Sequence, residues 1–468
     1  MSDVCGARPA SRRVPVCLDS FHAELLCPCR RVYISLMATH LWNLRPVLLH
    51  NEPDFGALLG KVLSPAQPLQ SEEFLRGRES QLTAIKQALY QSGRHVLIHG
   101  FRGVGKSSLA QTAAFSLTAG ADPIVLGCDG KSTFASVMRD MFDEAVNKNP
   151  TIEKQVREKA VGFSRFGINV GGRVTTHESS VTEPSSVNEA VRLVQFLCAA
   201  YSDKPVVVID EFDQIKSKDE QEYFTNFIKQ VSDKHVPARF IFCGIGESVD
   251  AIMAAHGSAD RYFHTVGLGQ LPWEARFEIV SVAADALGID IDENTIMRIA
   301  RISDGFPHYV HFVTEKLFWR VYQAQNEGRV TGALFEAAMS DAASSMEMRL
   351  RGPYESATQK YNNDYEEVLW AAADGHELKR RSTDIFDSYL RIMGGRTEEA
   401  LDRDRFNQRI NSLKQASHGG ILTGTRQGWY EFTEKMVRGY VRLKAEQANV
   451  VLEVDHPAMR RRLGTLAE

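Results

Sequence analysis

No run in this 468-residue sequence reaches the ~18 consecutive apolar residues of a membrane-spanning helix, so no membrane partner is expected. Charge of one sign is also missing. The 55 Lys and Arg are nearly balanced by 59 Asp and Glu, and a net charge of −4 makes no whole-chain case for nucleic acid. Cysteine is sparse, with seven residues and an odd count, which argues against a disulfide framework and for a reducing, cytoplasmic setting. Cys5, Cys17, Cys27 and Cys29 crowd the start of the chain, but only Cys27-Pro-Cys29 comes near a zinc-ligand pair. Asp19, His22 and Glu24 interrupt any apolar core of a secretory signal. The stretch to about residue 36 has no helical or strand period. It is expected to be either a disordered extension or an upstream over-read with initiation at Met37. His256 with His264, and His308 with His311, offer no convincing zinc spacing.

What is present begins at His95. The apolar run His95-Val-Leu-Ile-His99 leads into Gly100-Phe-Arg-Gly-Val-Gly-Lys-Ser107 and then a good helix former, Ser108-Leu-Ala-Gln-Thr-Ala-Ala. Strand, glycine-rich turn and helix start stand in the order of a phosphate-binding loop. Gly100, Gly103 and Gly105 would let backbone N–H groups curl around phosphates. The free N–H groups at the helix start, Ser107 and Ser108 among them, would add partial positive charge. Lys106 would reach the β- and γ-phosphates, and the Ser107 hydroxyl would ligate Mg²⁺. A nucleoside triphosphate is the expected ligand.

About a hundred residues on, Lys204-Pro-Val-Val-Val-Ile-Asp-Glu-Phe-Asp213 is a β-branched run ending in acids. An unbroken apolar strand fits the centre of a parallel sheet covered on both faces. Asp210 at its carboxyl end is placed to hold Mg²⁺ through water, and Glu211 to polarise the attacking water as general base. Between and after these motifs, strands alternate with helices: Ser80–Tyr90, Pro123–Cys128, Thr133–Val146, Val187–Tyr201 and Arg239–Cys243. A hairpin is expected from Val161 to Gly172. The alternation predicts an α/β fold, a P-loop NTPase with a doubly wound parallel sheet over residues 71–270, after an N-terminal extension (1–70) that is partly disordered.

Box by box, the segment from Arg76 to about Tyr322 resembles the AAA+ and STAND ATPases, nearest the origin-recognition initiator type. Gly77-Arg78-Glu79 resembles the family's box flanking adenine, and Lys106, Ser107, Asp210 and Glu211 match its two nucleotide motifs. The resemblance implies ATP and Mg²⁺ as cofactors and hydrolysis to ADP as the activity. It also implies a trans-acting arginine at Arg261, and hence a homo-oligomer. Asp304-Gly-Phe-Pro307 would open the last helix of a helical lid (271–345), with Pro307 and His308 at the sensor position that closes on nucleotide. Two departures stand out. The fourth strand ends in Cys243-Gly-Ile-Gly246, with Glu247 and Ser248 only afterwards, and His308 replaces the sensor arginine. An imidazole stabilises γ-phosphate charge less than a guanidinium, so turnover is expected to be slow and partner-regulated.

Residues 355–445 read as three helices (Tyr365–Ala373, Ser382–Met393, Asp404–Ala416) and two strands about a Thr-Arg-Gln-Gly turn. That order resembles a winged-helix domain, followed by a solvated tail, 446–468. Between His376 and Lys444, 14 Lys and Arg stand against 9 Asp and Glu, a local excess of positive charge. Arg405 and Arg409 on the third helix and Arg426 at the wing tip are the expected DNA contacts. Glu398, Glu399, Asp402 and Asp404 oppose phosphate. Two functions therefore stand open. One is a DNA-associated ATPase of initiator-like or transposition-helper-like character. The other is a signalling or phage-defence ATPase whose C-terminal domain docks a protein effector.

Overall fold

The structure is a computed structural model that describes residues 51–118, 121–152, 183–246, 259–325, 327–359 and 364–452. The N-terminal cysteines, the hairpin expected at 161–172, Glu247, Ser248, His256 and the tail beyond residue 452 lie outside the described residues.

Two helices, α1 (Glu52–Val62) and α2 (Glu79–Tyr90), precede a core in which strands and helices alternate. The sequence runs β1 (His95–Gly100), α3 (Lys106–Leu117), β2 (Ile124–Gly127), α4 (Phe134–Lys148), α5 (Val187–Ala200), β3 (Val206–Asp210), α6 (Lys218–Asp233), β4 (Arg239–Gly244), a short α7 (Ala259–Tyr262) and β5 (Phe263–Leu268). All five strands are parallel, in the order β2-β3-β4-β1-β5. This is the P-loop NTPase α/β architecture.

Strand β3 explains why both faces are covered. Val206 and Val208 enter one hydrophobic cluster, while Val207 and Ile209 enter the other. With period 2 along a strand, an unbroken β-branched run must feed both faces. Each such side chain contributes roughly 1.5–3 kcal/mol by burial. The second face is unusually aromatic: Phe212 packs edge-on against Phe224 (5.1 Å) and Phe242 (5.3 Å). Because Phe212 is wholly buried and follows Glu211 directly, it pins the carboxyl end of β3 where the acids emerge. Hydroxyls cap the flanking helices, with a reciprocal Thr133–Ser136 box starting α4.

Beyond β5 come α8 (Trp273–Leu287), α9 (Glu293–Ile302) and α10 (Pro307–Ala324). Left-handed Gly288 (φ 62°) ends α8, the Asp292 carboxylate caps α9, and Pro307 occupies the first turn of α10. Phe55 of α1 stacks on Tyr322 (4.3 Å) and meets Trp319 edge-on (4.9 Å). Residues 52–62, inside the segment expected to be an extension, are thus part of the packed core. Helices α11 (Gly332–Ser345) and α12 (Met348–Thr358) then lead to the C-terminal unit. No helix among the described residues is long and apolar enough to cross a membrane.

The C-terminal unit holds α13 (Asp364–Ala373), β6 (Lys379–Arg381), α14 (Ser382–Met393), α15 (Arg403–Ser412), β7 (Leu422–Arg426), β8 (Trp429–Phe432) and α16 (Val437–Gln447). Its sheet is antiparallel, in the order β6-β8-β7. Strand β6 joins the two strands that the sequence suggested, and α15 ends at Ser412 rather than Ala416. Helix α16 continues through Glu446, where a solvated tail was expected. Glu446 is bonded to Arg298 (2.6 Å) and Arg301 (3.1 Å) of α9, so α16 fastens the C-terminal unit to the lid.

Candidate functional site

A cavity of about 1030 Å³ opens where the core, the lid and the C-terminal unit meet. Its floor is the turn between β1 and α3, which contains Gly100, Gly103, Gly105, Lys106, Ser107 and Ser108. Any Cβ at Gly100 would overlap the Leu268 carbonyl of β5, and any Cβ at Gly103 would overlap the Met436 sulfur. Only glycine lets the loop lie this close to both neighbours. Gly105 is left-handed (φ 94°) and starts α3, leaving the first N–H groups of the helix free to meet an anion.

Lys106 Nζ donates to the Gly100 and Phe101 carbonyls, at 3.1 Å each. Burial pulls its pKa below the ordinary lysine value, and the Asp213 and Asp210 carboxylates act against that pull. Asp210 ends β3 on the same cavity, and its Oδ1 accepts the Glu211 N–H (2.8 Å). Glu211 adopts a left-handed conformation (φ 52°) that costs a non-glycine residue of order 1 kcal/mol or more. With Phe212 buried behind it, the chain holds this carboxylate exposed at the cavity wall. The Ser107 hydroxyl and the Asp210 carboxylate are hard oxygen donors facing one cavity beside the lysine, a set that suits Mg²⁺.

Cys243 is buried near the end of β4, where the sequence departs from the family it resembles. Burial raises its thiol well above the ordinary value, and the nearby Asp210 charge adds to this, so the sulfur stays protonated. Its Sγ lies 3.9 Å from the Lys106 carbonyl.

The lid contributes α10. Pro307 lies over Gly105, and the His308 Nδ1 sits 3.0 Å from the Pro65 carbonyl. That hydrogen bond ties Nδ1 to the 64–69 segment, while the buried Nε2 of the same ring has no partner. The same segment is tied to α3, because Leu69 N–H donates to Ser108 Oγ (3.2 Å) and Thr112 Oγ1 donates to the Leu69 carbonyl (3.1 Å). The Ser108 hydroxyl is therefore engaged in the cavity wall.

Arg261 is not brought to this site. It lies exposed on α7, away from the residues lining the cavity. The candidate nucleic-acid residues are distant as well, and they differ from one another. Arg405 is exposed beside Asp402 (3.5 Å). Arg409 was expected to be exposed but is partly covered: it pairs with Asp364 (3.2 Å) and stacks on Tyr365. Arg426 and Arg381 both stack on Trp429, at 4.1 and 5.0 Å from its ring centre.

Two residues that the sequence named, Arg78 and Asp304, make contacts it did not foretell, and others at the cavity were not named at all. Arg78, almost wholly buried, donates to the Val104 carbonyl (3.3 Å) and the Gly269 carbonyl (2.5 Å), bracing the phosphate loop against the end of β5. Asp304, buried and left-handed (φ 51°), pairs with Arg438 (3.5 Å) and Arg442 (3.2 Å) of α16. Arg349, Glu434, Lys435 and Met436 enter the cavity from the C-terminal side. No short motif marks Arg349, Glu434, Lys435 and Met436, because their place at the cavity is set by how the C-terminal side packs against the phosphate loop.

The sequence model of the AAA ATPase domain matches residues 75–241, a span holding the phosphate loop, Asp210 and Glu211. Residues 75–241 are thus similar to an AAA ATPase domain. No curated protein matches the sequence. Among solved structures, the chain is similar to the Walker-type ATPase Paby2304 of Pyrococcus abyssi. That match has 17% identity and a TM-score of 0.45, and covers 81% of this chain and 99% of that one. The Aeropyrum pernix ORC1 protein in complex with DNA matches at 15% identity and TM-score 0.41, covering 83% and 96%. The Thermotoga maritima RuvB Holliday junction branch migration motor matches at 13% identity and TM-score 0.39, covering 82% and 98%. The matched span shares its cavity with residues from well beyond its own boundary, up to Met436.

Proposed function

We propose that the chain is an ATP-hydrolysing switch in which nucleotide held between core and lid biases the arrangement of the lid and the C-terminal unit. The observation that carries this reading is the joint lining of one cavity by Lys106, Ser107, Asp210 and Glu211 from the core and by Pro307 and Met436 from the other two parts. Lys106 would leave the two loop carbonyls for the β- and γ-phosphates as a point charge. Glu211, exposed at the wall, would take a proton from the attacking water. Mg²⁺, held by Ser107 and by Asp210 through water, would neutralise phosphate charge. Glu211→Gln is expected to keep ATP binding and to lower turnover by about 10² or more, because an amide cannot accept the water's proton. Equal phosphate release by this variant and the parent would remove Glu211 from the role of base.

Arg261, exposed on α7, stays the proposed trans contact of an assembled form, since only a second copy could bring nucleotide to it.

For the C-terminal unit we propose a winged-helix module that contacts DNA, giving the switch its initiator-like or transposition-helper-like character. The local positive excess supports this, as do Arg426 and Arg381 displayed on either side of Trp429 on the hairpin and β6. The second reading, a protein-docking module of a signalling or phage-defence ATPase, is favoured by the internal pairing of Arg405 and Arg409 on α15. Fluorescence anisotropy of labelled duplex with the full chain across a salt series separates them. On the DNA reading, affinity falls with salt and Arg426→Ala makes the slope shallower by about one. No binding at low salt would transfer the role to a protein effector.

A further inference from the structure

The open side of the phosphate loop faces the C-terminal unit. Met436, just ahead of α16, lies against Gly103, and Lys435 Nζ stands 6.0 Å from the centre of the Phe101 ring. The Tyr309 hydroxyl of α10 donates to the Met436 carbonyl (2.7 Å), so the lid holds this corner in place. Lys106 Nζ already rests on the Gly100 and Phe101 carbonyls, which puts the β/γ end of a bound triphosphate beside Phe101. The corner after β8 therefore meets the γ end of the ligand, away from its base.

Two cations reach the cavity from this side, and they are held differently. Lys435 is fixed: its ammonium donates to Glu431 (2.8 Å) and to the Phe432 carbonyl (2.9 Å), and it is almost buried. Arg349 is not fixed. Its carboxylate neighbours, Glu347 at 3.7 Å and Glu434 at 3.9 Å, are well beyond charge-assisted hydrogen-bond length, and its side chain is 39% exposed. The cavity's other arginines are otherwise committed or lie on the loop itself. Arg76 pairs with Glu278 (3.2 Å), Arg78 braces two carbonyls, and Arg102 belongs to the turn. On the lid, His308 is engaged at the Pro65 carbonyl through Nδ1 and keeps only Nε2, a single ring nitrogen, for a ligand, where a guanidinium offers a paired fork.

We propose that Arg349 and Lys435, supplied by the C-terminal side of the same chain, complete the triphosphate site, with Arg349 reading the γ-phosphate. This rests on the reading of the cavity as an ATP site. A terminal phosphate offers Arg349 a bidentate, doubly charged partner that outcompetes two loose carboxylate contacts. Moving Arg349 to it frees Glu347 and Glu434, and Glu434 lies in the corner that closes on the phosphate loop. ADP offers no such partner, so the carboxylates retain Arg349. The difference between the two nucleotides is thereby converted into which anion holds one guanidinium, at the junction of α12 with the start of α16.

The test is calorimetric titration of the full chain with ATP and with ADP, carried out in a Glu211→Gln background to prevent turnover. Arg349→Ala is expected to weaken ATP by about 10-fold or more, the loss of one charge-assisted contact, while leaving ADP within about twofold. Arg349→Lys should recover part of the ATP affinity. Lys435→Met, which removes a cation at the same end, should weaken ATP more than ADP, and thermal melting of each variant shows whether the fold is intact. An unchanged ATP-to-ADP ratio in a folded Arg349→Ala protein overturns the inference while Lys106→Ala, binding neither nucleotide, upholds the site. If the parent binds no ATP, the reading of the site falls first and this inference with it.

Discussion

His95 shows how a single side chain can be settled by its surroundings. It starts β1 wholly buried, its Nδ1 accepts the Phe240 N–H (3.2 Å), and its Nε2 lies 3.2 Å from the Ser232 hydroxyl. Burial drives its pKa down to about 3. His311, at the cavity edge, is pushed down to about 4 by burial and, less strongly, by His308. Between those values and the ordinary ~6.5 the unfolded chain binds protons that the folded chain does not, so stability is complete above ~6.5 and is lost as pH falls. At pH ~5 the two together cost on the order of 4 kcal/mol. Melting temperature measured from pH ~7 down to ~5 should drop steadily, and His95→Gln should reduce the pH slope by about one proton. An unchanged slope would show that His95 is charged in the fold. The residues of the phosphate loop and the two acids were readable in advance because each motif is contiguous and its chemistry depends on spacing along the chain. Arg349 and Lys435 were not, since a lone cation in sequence carries no sign of which carbonyl or cavity it will meet.

Helix α16 explains most of what the sequence concealed among the elements. Its buried face includes Val437, Tyr440, Val441 and Leu443 but also Arg438 and Arg442, so the apolar period is broken by charge. Those arginines are interior because they are saturated. Arg438 donates to the Gly375 carbonyl (2.5 Å), Arg442 to the Ala373 and Arg301 carbonyls (3.0 Å each), and both pair with Asp304. Burial lowers the Arg438 pKa to about 9, which still leaves it cationic at neutral pH. Helix α12 was hidden for a different reason, since Gly352-Pro353 reads as a break and lies inside the helix. The lid helices, in contrast, carried their start and stop signals openly at Asp292, Gly288 and Pro307. Removing the carboxylate that two buried arginines share leaves uncompensated charge, so Asp304→Asn should destabilise the protein by about 3 kcal/mol. Glu446→Gln, which loosens α16 from α9 nearer the surface, should cost about 1 kcal/mol. Chemical denaturation of the two variants checks the order, and a larger loss for Glu446→Gln would mean that the Asp304 network is not what anchors the helix.

For the molecule as a whole, the consequence is that the phosphate-loop cavity, helices α8–α10 and the C-terminal unit are joined through one set of contacts. Asp304 sits three residues before Pro307 at the cavity, and the same Asp304 is gripped by the helix that follows Met436. The winged-helix resemblance gave no reason to expect this contact, because a domain recognised by its own pattern is silent about what it packs against. Hydrogen exchange of the full-length Glu211→Gln protein, compared with ADP and with ATP, tests that connection most directly. The account predicts that exchanging ADP for ATP changes protection at residues 433–436 and along 437–447 as well as in the phosphate loop. A response confined to residues 100–108 and 210–211, with the C-terminal unit unchanged, would contradict it.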